Sequence, residues 1–124
     1  MLRCWMERLR EASKEGAVLV EGKRDREALQ RYGVKHLFTL EGKRFSDLPD
    51  LLEGFEKVIL LFDLDEQGER IKKKVKEILG REGYILIEDF REELRVLGIT
   101  FVEELYGKVL GAERFACSGQ AHKA

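Results

Sequence analysis

Five consecutive apolar residues, Val58 to Phe62, run straight into Asp63-Leu64-Asp65 and leave this chain few architectures to choose from. A strand with one face in water alternates apolar and polar residues. A strand that is apolar throughout needs cover on both faces, which points to a parallel sheet held between helices. Three more segments repeat the theme: Ala17 to Glu21, His36 to Leu40 and Tyr84 to Glu88. Helical periodicity separates them; after the acidic turn, Ile71, Val75, Ile78 and Leu79 share one helix face. The reading is therefore α/β: a parallel sheet of about four strands with helices on both faces, a Rossmann-like arrangement.

Other segments fit around that frame. Leu2, Trp5 or Met6, Leu9 and Ala12 form one stripe of an amphipathic helix that ends near Gly16. Two readings stay open for Trp5 and Met6, packing on the core or forming a homodimer face. A charged helix over 24–32 is closed by Gly33. Ser46 or Asp47 caps a short helix with Pro49 in its first turn. Two more short helices are expected over 90–97 and 100–110, the second opened by a capping box of Thr100 and Glu103. No linker interrupts the chain. Residues 1–16 read as an N-terminal helix, 17–112 as the domain and 113–124 as a flexible polar tail.

The 124 residues, 44% of them hydrophobic, suffice for one modest core. Charged residues reach 38%, Asn is absent and Gln scarce, a composition that leans toward a thermophilic source. A net charge of −1 excludes a globally basic nucleic-acid binder, so any such surface must be a local patch. Cys4 and Cys117 are not spaced as metal ligands and are expected to be reduced thiols of a cytoplasmic protein, with oxidation in a thermophile as the alternative; His36 and His122 are read as structural and as part of the tail. No apolar run approaches a membrane span and no signal-peptide pattern opens the chain, so no membrane partner is expected.

The tetrapeptide Glu-Gly-Lys-Arg occurs twice, at Glu21 to Arg24 and at Glu41 to Arg44. It is not a phosphate loop: Gly16 precedes Gly22 by one residue too many, and Arg24 stands where a hydroxyl residue is required. Nor is it a repeat, because the flanking residues differ. Both copies leave the C-terminal end of an expected strand, the edge where open parallel sheets bind ligands. Asp63 and Asp65 arrive at the same edge from the central strand. With Glu21 they make three carboxylates from two strands, which repel one another unless a cation neutralises them. Hard oxygen donors with no His or Cys nearby suit Mg²⁺ or Mn²⁺. The plain alternative makes Asp65 a helix N-cap and Asp63 a loop acid.

An apolar strand ending in Glu-Gly, followed by one ending in D-x-D-x-x-G, resembles the Toprim domain of bacterial primases, topoisomerases and several nucleases. "VLVEGKRDREAL" and "LLFDLDEQGERIKKKV" are most similar to the Toprim half of the ribonucleases that mature 5S ribosomal RNA, and to small stand-alone Toprim proteins. The resemblance implies a general acid or base at Glu21, a metal-binding pair at Asp63 and Asp65, and backbone turns at Gly22 and Gly68. It implies Mg²⁺-dependent phosphodiester chemistry on RNA or DNA, most simply nuclease cleavage. Tyr32, Tyr84 and Tyr106 fall in or beside core elements, so none is read as the nucleophile that topoisomerases use.

Lys23, Arg24, Arg26, Lys43, Arg44 and Arg70 are expected to ring the carboxylates and hold nucleic-acid phosphates. Lys72, Lys74 and Lys76 either extend that charge or, as the plainer reading, form a solvated helix face. Glu88-Asp89 has two readings, outer metal contact or cap. Competing functions are a non-catalytic Toprim-like module that binds nucleic acid or a partner, and a phosphatase of the haloacid dehalogenase type. The latter shares a strand followed by D-x-D but expects Gly-Thr where this chain has Glu66-Gln67.

Overall fold

The computed structural model describes residues 2–111. Four strands, β1 (Ala17–Val20), β2 (Leu37–Thr39), β3 (Lys57–Leu60) and β4 (Ile85–Ile87), form one sheet in the order β2-β1-β3-β4, every pair parallel. Six helices surround it: α1 (Leu2–Ala12), α2 (Lys23–Gln30), α3 (Leu48–Leu51), α4 (Glu66–Arg81), α5 (Asp89–Val96) and α6 (Leu105–Gly111). Short 3₁₀ turns at Phe45–Asp47 and Val102–Glu104 lead into α3 and α6.

The continuous apolar runs are explained by the two faces. Val18, Val20, Ile59 and Leu61 point to one side and join Trp5, Met6, Leu9, Leu29 and Leu94 in one core cluster. Their neighbours Ala17, Leu19, Val58, Leu60 and Phe62 point to the other side and meet Leu48, Leu52, Val75 and Leu79. A period of two therefore persists, but both phases are apolar because both faces are covered. Full burial of each Val, Leu, Ile, Phe or Met side chain among them contributes about 1.5–3 kcal/mol. Trp5 and Met6 belong to this core, Trp5 at 0% exposure with its indole N–H donating to the Phe90 carbonyl at 2.9 Å.

Several local expectations change. The Thr100–Glu103 capping box does not form; Phe101 is the N-cap residue of the 3₁₀ turn and no side chain caps it. Thr100 instead accepts the Leu64 N–H through its carbonyl at 2.7 Å. Asp47 precedes α3, yet its carboxylate turns back to the Arg44 N–H at 3.0 Å. Cys4 is disulfide-bonded, which corrects the expectation of a reduced thiol. His36 is structural: it stands at φ 53° and its Nδ1 lies 2.7 Å from the Ser13 carbonyl. Among the described residues no helix is long and apolar enough to cross a membrane. The expected tail, with Cys117 and His122, lies outside the described residues.

Candidate active site

From β1 the chain crosses to one side of the sheet and from β3 to the other. Diverging connections open a crevice at the carboxyl ends of those two neighbouring strands. Glu21 follows β1 and Asp63 follows β3, so the topology itself brings them together. The Glu21 Oε2 accepts the Asp63 N–H at 2.9 Å. Asp63 in turn accepts the Val102 N–H at 2.8 Å through Oδ1. Asp65 is the N-cap of α4, its Oδ1 accepting the Gly68 N–H at 2.8 Å. The plain reading of Asp65 is thus met by one oxygen, and each of the three acids keeps a second oxygen outside these bonds.

The two glycines serve differently from the expected turns. Gly22 is extended (φ −141°) at the N-cap of α2, and a Cβ there would meet only Glu41 Oε1 at 3.6 Å. Gly68 lies inside the first turn of α4. A Cβ on it would stand 1.8 Å from the Asp63 carbonyl oxygen, so only glycine lets α4 pack this closely on the strand end that carries the acids. The second Glu-Gly-Lys-Arg copy also has a part: Glu41 accepts the Lys23 N–H at 2.9 Å and ties the loop after β2 to the start of α2.

Three residues escaped the sequence reading. Asp25, only 7% exposed, accepts the Gly22 N–H at 3.2 Å, and Glu103 lines the same cleft from the turn before α6. Arg91 is fully buried beneath the acids. Its Nε donates to the Phe62 carbonyl at 2.8 Å and its Nη2 to the Asp63 carbonyl at 2.7 Å, and Glu69 pairs with it at 2.9 Å. A usable signal existed for two of them. Asp25 is a first-turn acid one helical turn after Glu21, and Arg91 stands three residues before the core residue Leu94, on the inward face of α5. Glu103 reaches the site only through tertiary packing.

Charge repulsion and burial set the proton affinities. Burial, reinforced by the charges of Asp63, Glu21 and Glu103, pushes the Asp25 carboxyl up to about 7. Burial likewise raises Glu21, with Asp63 and Asp65 adding to it, against the Asp63 N–H and Arg91. Asp63 is raised by burial and by the charges of Asp65 and Glu103, against the Val102 N–H and Arg91. A crowd of carboxylates with one buried guanidinium is short of positive charge.

Lys23, Arg24 and Lys43 line the cleft, which has a volume of about 690 Å³. Arg44 and Arg70 do not; they are exposed and stand 3.9 Å from Asp47 and 3.8 Å from Glu66. Arg26 also stays outside the cleft wall. Lys72 and Lys76 pair with Glu88 at 3.3 and 2.8 Å. Against its burial, hydrogen bonds from Lys76 and Lys72 hold Glu88 below the usual carboxylate range, so Glu88 belongs to an ion-pair network and not to the acid cluster. Tyr32 and Tyr84 donate to the carbonyls of Tyr106 and Pro49, in line with structural roles.

Among the described residues no three His, Cys, Asp or Glu side chains form a ready cation cage. The donor set nevertheless fits a hard divalent ion. Mg²⁺ keeps several waters and is bound through one or two carboxylates plus substrate phosphates, not by a full protein cage. Glu21 and Asp63, with Asp65 beside them, are the residues that would hold it.

A model of the Toprim domain matches residues 16–96. The chain belongs to the Toprim-domain family. This Toprim protein is 37% identical over 108 residues to a UPF0292 protein of Thermococcus gammatolerans, covering 82% of this chain and 78% of that one. A UPF0292 protein of Methanocaldococcus jannaschii is 30% identical over 110 residues, 84% of this chain and 86% of its own. A solved protein of Aquifex aeolicus shares 48% identity and a TM-score of 0.78, covering 81% of this chain and 94% of that one. Membership places the protein in a metal-binding, nucleic-acid-processing family and leaves the phosphatase reading without support. Glu21, Asp25, Asp63, Asp65 and Arg91 all lie inside the Toprim match; Glu103 lies beyond it.

Proposed function

We propose that this Toprim protein cleaves phosphodiester bonds of RNA or DNA with the help of Mg²⁺, for which Mn²⁺ can substitute. The observation that carries the reading is the pairing of Glu21 with the Asp63 backbone across the β1–β3 crevice. Burial raises the proton affinity of Glu21 above that of an ordinary carboxylate, the direction that general acid–base work calls for. It acts as general acid or base. Asp63 and Asp65 supply the free oxygens for the cation, and Lys23, Arg24 and Lys43 hold the phosphate backbone. When bound, the cation lowers the cost of charge on the attacking and leaving oxygens. A cytoplasmic setting goes with this reading.

The test is incubation of the pure protein with labelled RNA and DNA in Mg²⁺, Mn²⁺ or EDTA. Cleavage is expected with either metal and not in EDTA, and Asp63→Asn should slow it about a hundredfold or more. A second reading, a nucleic-acid-binding module without cleavage, is favoured by Lys23, Arg24 and Lys43 lining the cleft, cations that would hold phosphates whether or not a bond is cut. Binding without cleavage under every metal condition would establish it in place of the first.

A further inference from the structure

The cleft that receives the acids has a wall of different chemistry. Leu40, Phe45 and Ile71 line it, each half-buried, with their inner sides packed on the core cluster around Leu48 and Val75. They line the same cleft as the acids and the cations Lys23, Arg24 and Lys43. A site that met only a phosphate backbone has no use for an aromatic and aliphatic floor at that position. At about 690 Å³ the cleft falls in the range that encloses a small organic ligand, large enough for a base and sugar with their phosphate.

We propose that this cleft seats one unpaired nucleotide, its base on Phe45 between Leu40 and Ile71 and its phosphate toward Lys23 and Lys43. The charges match: cations meet the phosphate, and the apolar floor meets the uncharged base. Gln67, exposed on the rim, offers an amide to a base edge. Inside a duplex both faces of a base are stacked and out of reach of such a floor. The preferred substrate is therefore single-stranded, a frayed end or a nucleotide turned out of its stack. Stacking is tolerant of sequence, so little base preference is expected. This inference rests on the nucleic-acid reading and narrows it.

The experiment titrates the full chain into a short oligonucleotide carrying a single 2-aminopurine, as a single strand and as a blunt duplex, with Ca²⁺ replacing Mg²⁺. Tighter binding of the single strand and quenched fluorescence are expected. Phe45→Leu keeps the apolar contact with the core but removes the aromatic face; it should lose the quenching and weaken single-strand binding about tenfold, the scale of one base–aromatic stack. Phe45→Trp should restore both. Equal affinity for strand and duplex, or Phe45→Leu matching the wild type, overturns the proposal. If Lys23→Ala weakens binding while the Phe45 variants do not, the nucleic-acid reading stands and the nucleotide seat falls. If the wild type binds neither form, both fall together.

Discussion

Asp25 shows how far one residue can be displaced from its ordinary chemistry. The carboxyl is nearly buried among like charges, and its affinity for a proton moves from 3.8 up to about 7. In the unfolded chain it loses that proton near its ordinary value; in the fold it keeps it until near neutrality. Between the two, the native state holds more protons than the unfolded state, so stability falls as pH rises through that window. Glu21 and Asp63 are raised as well and act with the same sign. Asp25→Asn removes the charge and still offers a carbonyl oxygen to the Gly22 N–H. Without metal, the variant should lose less stability than the wild type between acid and mildly alkaline pH, and should be the more stable of the two at the alkaline end. Urea unfolding in EDTA across that range measures it. Parallel profiles for the two proteins would mean that Asp25 ionises normally.

Between elements, the decisive contact is α4 on the end of β3. Gly68→Ala would force a methyl group to within 1.8 Å of the Asp63 carbonyl, which neither backbone can accept without moving. Overpacking of this kind costs about 1–3 kcal/mol, and here it also shifts the strand end that bears Asp63 and Asp65. Loss of both stability and Mg²⁺ response is expected by thermal unfolding; a variant as stable as the wild type would show that α4 can slide freely. This part of the molecule was legible in the sequence. Val58 to Phe62 announced a strand covered on both faces, and D-x-D-x-x-G announced the acids and the glycine behind them. Contacts between distant segments were not legible. Val102 reaches Asp63 across 39 residues, and Glu41 reaches Lys23 across 18. Neither carries a local pattern, because a backbone N–H is present at every non-proline residue and only the fold decides which one meets a carboxylate. The placement of Arg44 and Arg70 was not legible for the converse reason: their charge suits a phosphate, but each stands outside the cleft wall beside an acid three or four residues away.

Across the whole molecule, the abundant charge is organised on α4 and α5. Glu69 accepts from Arg91 and Arg95, both at 2.9 Å, and lies 3.5 Å from Lys72, which also reaches Glu88. Against burial, hydrogen bonds from Arg95 and Arg91 hold Glu69 down to about 2. Networks of this kind gain weight at high temperature, where removing charges from water costs less. Arg91 joins that network to the site. It satisfies the Phe62 and Asp63 carbonyls and is the buried cation beneath Glu21 and Asp63. Arg91→Gln should destabilise the protein by about 3 kcal/mol or more, since it leaves buried acceptors and a carboxylate without their partner. Arg91→Lys keeps the charge but not the planar fork, and should fall between. Mg²⁺ separates packing from charge. Once the guanidinium is gone the acids repel more strongly, so added Mg²⁺ should raise the denaturant midpoint more in Arg91→Gln than in the wild type, with Arg91→Lys close to the wild type. If Arg91 only fills space and holds carbonyls, Mg²⁺ will raise all three midpoints equally, and its electrostatic part in the site is lost.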